Sequence, residues 1–443
     1  MWEKYRQVLN VPGVLGLQVL ATLARIPAAS AGLVLTLHVV GPLGRTYAQA
    51  GIVAAAVTLG GAIGAPWRGR AVDRFGLRLA VMPSILVEAV VWGLAPHVSY
   101  GALIVLAVIG GLLGLPIFSV VRQSLTALVP IDQRRTALAL DSVTTELSFI
   151  IGPATIVVLA TQISTMVAMW TVGACMVAAG IALVVRNPPT RSAADLQSVA
   201  DSTAVPVRDR HLLTSRSLVA VLAITIAATI VLSGTDIGVV ATLRALDRTT
   251  FIGIAVVAWC SGSIVGGLVY GGLHRSIPPW VLLLGLCLLT VIVGFAREPW
   301  QLAVLLIPAG ALVAPLITST VEGVARVVPE RRRGEAMGWH GSALTIGVAA
   351  GSPLTGAVID ATAPWVGFVA IGALGVFLAT GCGMLPTLVR RRRGGELGPH
   401  RPSLTEVTVA DDAILSPKTP QTPEPPVAAV PAVRAVSNVE ARR

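Results

Sequence analysis

The sequence returns repeatedly to apolar runs long enough to cross a bilayer, over 11–40, 48–67, 79–96, 100–129, 137–161, 163–185, 217–243, 250–272, 279–296, 299–328, 335–361 and 363–388. A hydrocarbon core about 30 Å thick takes about 20 apolar residues per helix. Inside it every backbone amide and carbonyl must be bonded within its own segment, so each run is expected to be a transmembrane α-helix. Composition agrees, because 54% of the 443 residues are apolar and only 12% are charged, against about a quarter charged in ordinary soluble domains. The expected fold is an all-α integral membrane protein of twelve helices.

The net charge of +11 could point to nucleic acid, so its distribution decides. With the N-terminus inside, one set of connections holds Lys4, Arg6, Arg68, Arg70, Arg74, Arg78, Arg134, Arg135, the stretch 186–216, Arg275, Arg326, Arg331 to Arg333 and the tail from Arg390. The other set holds only Arg45, Arg244, Arg248 and Arg297. That asymmetry is the positive-inside pattern of a multi-pass protein with both termini cytoplasmic, and it argues against nucleic acid as a partner. Cys175, Cys260, Cys287 and Cys382 stand singly in apolar runs, which reads as core residues and implies neither a metal nor a disulfide. Lys4 and Arg6 ahead of an apolar stretch also raise a cleaved signal peptide; cutting near Ala31 would leave eleven helices and spoil the repeat described next.

Four segments are expected: a six-helix bundle over 1–185, a cytoplasmic linker over 186–216, a second bundle over 217–388 and a disordered, proline-rich cytoplasmic tail over 389–443. The halves repeat. Val129-Pro130-Ile131-Asp132-Gln133-Arg134-Arg135-Thr136-Ala137 matches Val328-Pro329-Glu330-Arg331-Arg332-Arg333-Gly334-Glu335-Ala336, and at the same offset Gly152 falls on Gly351. Six helices per repeat keep both bundles in one orientation, related by a pseudo-two-fold axis along the membrane normal with a cavity between them. In the tail, Pro417, Pro420, Pro423 and Pro426 recur every three residues, with Ser416, Thr419 and Thr422 each before a proline. A polyproline II ligand for a cytoplasmic partner and a merely solvated tail are both open.

Between the second and third runs stands Gly69-Arg70-Ala71-Val72-Asp73-Arg74-Phe75-Gly76-Leu77-Arg78. This pattern, GxxxDRxGxR, resembles the signature loop of the major facilitator superfamily, and the resemblance extends from residue 1 to about 390. It implies that Gly69, Asp73, Arg74, Gly76 and Arg78 form a conformational latch between the bundles. The second-half counterpart, Gly271-Gly272-Leu273-His274-Arg275, has lost the acidic residue, so only the first-half loop is expected to latch. Ser148 to Pro153, with Gly152-Pro153, looks like part of the motif of the antiporter branch, and Gly347 to Pro353, with Gly351, is its analogue. Small residues four apart also serve plain helix packing, which explains both segments equally well.

A charge at the bilayer centre costs at least about 2.5 kcal/mol and normally faces the bundle interior. The superfamily's cavity is lined by helices one, four, seven and ten, and each carries one in-span charge: Arg25, Arg122, Asp236 and Glu322. Arg25, just before Pro27, is the first candidate for a solute contact; an ion pair with Glu146 is the alternative. Glu146 and Asp236 are candidate proton carriers, since desolvation lets a carboxylate load and release a proton. Arg122 and Glu322 lie at matching depth and could pair as an inner gate, or snorkel to the headgroups. Glu88, mid-span in the third run, has no evident role.

The resemblance implies a secondary transporter working by alternating access. The leading expectation is proton-coupled efflux of a drug-like or amphiphilic compound, acting as a monomer in the inner membrane of a bacterium. Proton-coupled uptake of a sugar, amino acid or organic anion is the alternative, and a non-transporting receptor or scaffold acting through its tail belongs to another class. No GxxxxGK[ST] phosphate loop, HExxH or GxSxG occurs, so no enzyme and no cofactor are expected, with a proton gradient as the energy source.

Overall fold

A computed structural model of the chain describes residues 2–192, 195, 212–273 and 275–396. The expectations for most of the linker, for His274, and for the proline-rich segment with its Ser-Pro and Thr-Pro sites lie outside the described residues, as does the side chain of Cys382.

Among the described residues the chain forms fifteen α-helices: α1 Trp2–Asn10, α2 Val14–Val40, α3 Tyr47–Phe75, α4 Leu77–Leu94, α5 Tyr100–Leu113, α6 Ile117–Leu128, α7 Arg134–Gln162, α8 Thr165–Arg186, α9 Arg216–Ala245, α10 Ile252–Gly272, α11 Pro279–Val293, α12 Pro299–Gly310, α13 Val313–Val327, α14 Arg333–Ala361 and α15 Pro364–Glu396. Eleven segments are long and apolar enough to cross a membrane, with α5–α6 and α12–α13 each counting as one, and the shorter apolar α11 takes the remaining place. The twelve-helix expectation therefore holds. Helix starts follow local chemistry. The Thr46 and Gln49 side chains form a capping box on α3, Ser164 caps α8, and Ser215 caps α9, each satisfying amide groups that a helix leaves unbonded at its N-terminus.

Two apolar cores form, one from residues between Val8 and Leu183 and the other from residues between Ile224 and Ala379. A third cluster joins them, packing Leu138 against Leu218, Leu222, Val321, Val324 and Met337. The outer faces expose large apolar side chains such as Leu59, Leu86, Val105 and Phe377, as expected of surfaces solvated by lipid. Cys260 and Cys287 are buried, but Cys175 is exposed rather than a core residue.

Three features depart from the sequence-based expectation. A separate helix, α1, precedes the first span and buries Tyr5 and Val8. The last helix runs on to Glu396. The runs 100–129 and 299–328 are not continuous helices but break between α5 and α6 and between α12 and α13. At the first break Pro116 lacks the amide that would bond the Leu112 carbonyl. Glycines four apart press on both breaks: Gly60 and Gly64 of α3 meet the backbone at Val108 and Leu112, while Gly262 and Gly266 of α10 meet it at Ile307 and Ala311.

Candidate functional site

The two halves are sealed together along the ends of the helices nearest the linker. Asp73, at the end of α3, caps the start of α14: Oδ1 accepts from the Gly334 amide at 2.9 Å and Oδ2 from the Glu335 amide at 2.8 Å. Gln123 Nε2 also donates to Asp73 Oδ1 at 3.0 Å, and Arg191 donates to its backbone carbonyl at 2.7 Å. Arg70 spans the same joint to Glu335, with Nη2 3.0 Å from Oε1. Close approach is possible because Gly69 and Gly334 lack side chains; a Cβ on either would collide with the other's carbonyl oxygen. Gly76, at φ 80°, turns the chain from α3 into α4 in a conformation that favours glycine. Arg74 and Arg78 do not cross the joint. Arg74 lies over the Phe75 ring and Arg78 donates to the Val184 carbonyl, within the first half.

The related joint between α7 and α10 uses donors from the first half on carbonyls of the second. Thr136 donates to Gly271, Arg135 to Leu273, Lys4 to Gly272 and Tyr5 to Leu268. Burial pushes the Tyr5 phenol up to about 12, so it remains a donor at any physiological pH. Arg134 pairs with Glu330 at 3.1 Å. Deeper along α7, Ser142 bonds Thr318 at 2.9 Å, and Glu146 Oε1 accepts from Ser263 Oγ of α10 at 2.9 Å. Glu146 stands twelve residues into α7, about 18 Å along the axis at 1.5 Å per residue. Among the described residues its bond is the innermost polar contact between the halves on this joint. Asp236 of α9 is exposed and lies within electrostatic reach of Glu146.

The first half buries a charged cluster beside this seal. Arg25, wholly buried, holds Nη1 2.7 Å from Asp141 Oδ1, and Arg122 Nε stands 3.4 Å from Asp141 Oδ2. The alternative pairing of Arg25 with Glu146 is therefore not present, because Asp141 takes the guanidinium. Nor does Arg122 pair with Glu322. Glu322 is bound by Arg135 of the other half at 3.5 Å and by Arg326 at 2.8 Å, so it bridges the bundles through a different arginine. The repeat offset puts Asp141 on His340, a buried residue whose Nε2 lies 2.9 Å from Thr320 Oγ1.

Glu88, left without a role by the sequence, serves the break in α5–α6. Its Oε1 accepts from the Leu115 amide at 3.1 Å and its Oε2 from Trp92 Nε1 at 2.8 Å. With the Leu115 amide turned aside and Pro116 lacking one, the Gly111 and Leu112 carbonyls are free, and Arg68 Nη1 donates to both at 2.6 Å. Anion at a helix N-terminus and cation at a C-terminus both complement the helix dipole. Gly152 rests on Ile26 of α2, while Gly347 and Gly351 rest on Ile226 and Ile230 of α9, so both small-residue motifs, with Pro153 and Pro353 beside them, lie at contacts inside a bundle.

The family model for the major facilitator superfamily matches residues 18–296 and 237–421. The chain belongs to this superfamily. No curated protein matches it. Among solved structures, the human organic anion transporter MFSD10 (TETRAN) is 16% identical, covering 85% of this chain and 99% of its own at a TM-score of 0.63. A bacterial homologue of the iron transporter ferroportin in an outward-facing state is 12% identical, with 84% and 99% covered at 0.64. The E. coli fucose:proton symporter FucP is 15% identical, with 83% and 98% covered at 0.58. At these identities the likeness concerns the fold. As a major facilitator, this chain is a multi-pass membrane transporter.

Proposed function

We propose that this chain is a proton-coupled secondary transporter that exports a small amphiphilic or drug-like compound from the cytoplasm, acting as a monomer in a bacterial inner membrane. The reading rests most on Glu146. Its carboxylate makes the innermost polar contact of the α7–α10 joint, bound to Ser263 and within electrostatic reach of Asp236 across the bundles. A proton arriving there changes the charge at the inner end of this seal, so protonation and the seal are coupled. Asp236, exposed on α9, is the second proton carrier. With the linker in the cytoplasm, as the arginine distribution favours, the sealed face is the cytoplasmic one. Exposed Phe149 and Ile237, each close in sequence to one of these carboxylates, favour a solute with an apolar body.

The test uses proteoliposomes with an internal pH-sensitive dye and an imposed proton gradient, challenged with anionic, neutral and cationic amphiphiles. Active compounds are expected to dissipate the gradient as they exchange for protons, and Glu146→Gln and Asp236→Asn should lose the response. Compound movement that is indifferent to a protonophore and to both substitutions would exclude proton coupling. Solute and proton moving in the same direction would instead make the chain an uptake symporter.

A further inference from the structure

We infer that the cluster of Arg25, Asp141 and Arg122 is a binding site for the acid group of an amphiphilic organic anion, and that such anions are the transported class. The inference rests on the transporter reading above and gives its solute a charge.

The argument starts from charge. Two buried guanidiniums share one buried carboxylate: Arg25 is 0% exposed, Arg122 6% and Asp141 1%. No second carboxylate among the described residues stands within ion-pair distance of either arginine, so one positive charge is unmatched. An unpaired charge in a low-dielectric interior is costly, and a structural ion pair needs only one arginine. Moreover, Arg25 Nε and Nη2 have no hydrogen-bond partner among the described residues. Two N–H groups on one side of a planar guanidinium match the two oxygens of a carboxylate. Glu88 shows what a structural charge looks like here, spending one oxygen on the Leu115 amide and the other on Trp92.

Access comes next. Arg25 Cζ lies 5.1 Å from the centroid of the Phe118 ring, which holds its cation against a π-face. Phe118 is only partly buried and meets Phe149, which is 51% exposed, at a centroid distance of 6.3 Å. The guanidinium is thus one aromatic ring below an exposed surface. Pro27 lies two residues beyond Arg25 inside α2, and its missing amide leaves the Leu23 carbonyl without its helical bond. The helix is weakest at the turn carrying Arg25, where a small change of bend combined with a turn of Phe118 brings the unmatched charge to the solute. With Phe118 turned aside, the exposed Phe149 receives the apolar body of an aryl or alkyl acid.

Equilibrium dialysis of the full chain in detergent micelles, with radiolabelled 2-naphthoate, 2-naphthamide and 2-naphthylmethylammonium, tests this without any gradient. Saturable 2-naphthoate binding at least tenfold tighter than 2-naphthamide is expected, with Arg25→Gln abolishing the difference and Arg25→Lys restoring part of it. Phe118→Ala leaves all three charges in place and should tighten 2-naphthoate binding several-fold by uncovering Arg25. It decides the matter should Arg25→Gln fail to fold. Equal binding of amide or ammonium, wild-type 2-naphthoate affinity in Arg25→Gln, or no change in Phe118→Ala would overturn the inference. Anion binding with no dye response in the proteoliposomes would remove the transport reading and leave the site, whereas a response confined to neutral or cationic compounds would do the reverse.

Discussion

Asp73 binds the first turn of α14 with both carboxylate oxygens, one on the Gly334 amide at 2.9 Å and one on the Glu335 amide at 2.8 Å. The residue belongs to the first half and the helix to the second, so this contact exists only while the linker face is sealed. It ties a negative charge to the positive end of a helix dipole, worth up to about 2 kcal/mol in partly buried settings.

Asp73→Asn keeps a polar side chain but loses the charge and one acceptor. It should shift the equilibrium toward the state open at the linker face by about 1–2 kcal/mol, read as faster alkylation of a single cysteine replacing Ser342, a buried residue of α14 that meets the Ala62 carbonyl of α3 beneath the joint. An unchanged alkylation rate would mean that Asp73 carries no share of the seal.

Gly69→Val tests steric closure separately from charge. A Cβ there collides with the Gly334 carbonyl, so the bundles cannot approach at the linker face, while each bundle's own core is untouched. The variant should fold, retain its thermal midpoint to within a few degrees and lose transport. Wild-type transport rates would contradict the close approach of α3 and α14.

Arg68→Met leaves the Gly111 and Leu112 carbonyls without a partner, at about 1–3 kcal/mol for each buried group left unsatisfied. Glu88→Gln keeps an acceptor for the Leu115 amide but removes the charge facing Arg68. Thermal unfolding should show Arg68→Met as the more damaging change. The double variant should lose less than the two single losses summed, because the residues share one helix break. Strict additivity would separate them.

Tyr5→Phe removes one hydroxyl and its bond to the Leu268 carbonyl. The expected loss is about 0.5–1.5 kcal/mol from the sealed state, seen in the same alkylation assay with a smaller effect than Asp73→Asn. A larger effect would make α1 the principal clasp.

The spans were legible because lipid leaves the backbone no choice but helix, and twelve apolar runs say so directly. Asp73 was legible from its motif, which sets it beside glycines at a helix end. Its partners Gly334 and Glu335 were not, since nothing near Gly69 in sequence points to α14. Asp141 shares α7 with Glu146, and the choice between them as partner of Arg25 turns on their different facings on one helix. In the sequence helix α1 shows mainly as the basic flank Lys4 and Arg6 ahead of the first apolar run. Its amphipathic pattern, with Tyr5 and Val8 turned inward, was present but short. The breaks could have been suspected from Pro116. What Arg68 and Glu88 do there depends on two other helices meeting it in space.

The most direct measurement of the account is a pair of spin-label distances across the bundles, one at the linker face and one at the opposite face, on the full chain with its native cysteines replaced. Two populations are predicted in which one distance lengthens as the other shortens, with Asp73→Asn enriching the linker-open population and Glu146→Gln changing its dependence on pH. A single population, unmoved by either substitution or by pH, would contradict a proton-coupled carrier latched at Asp73.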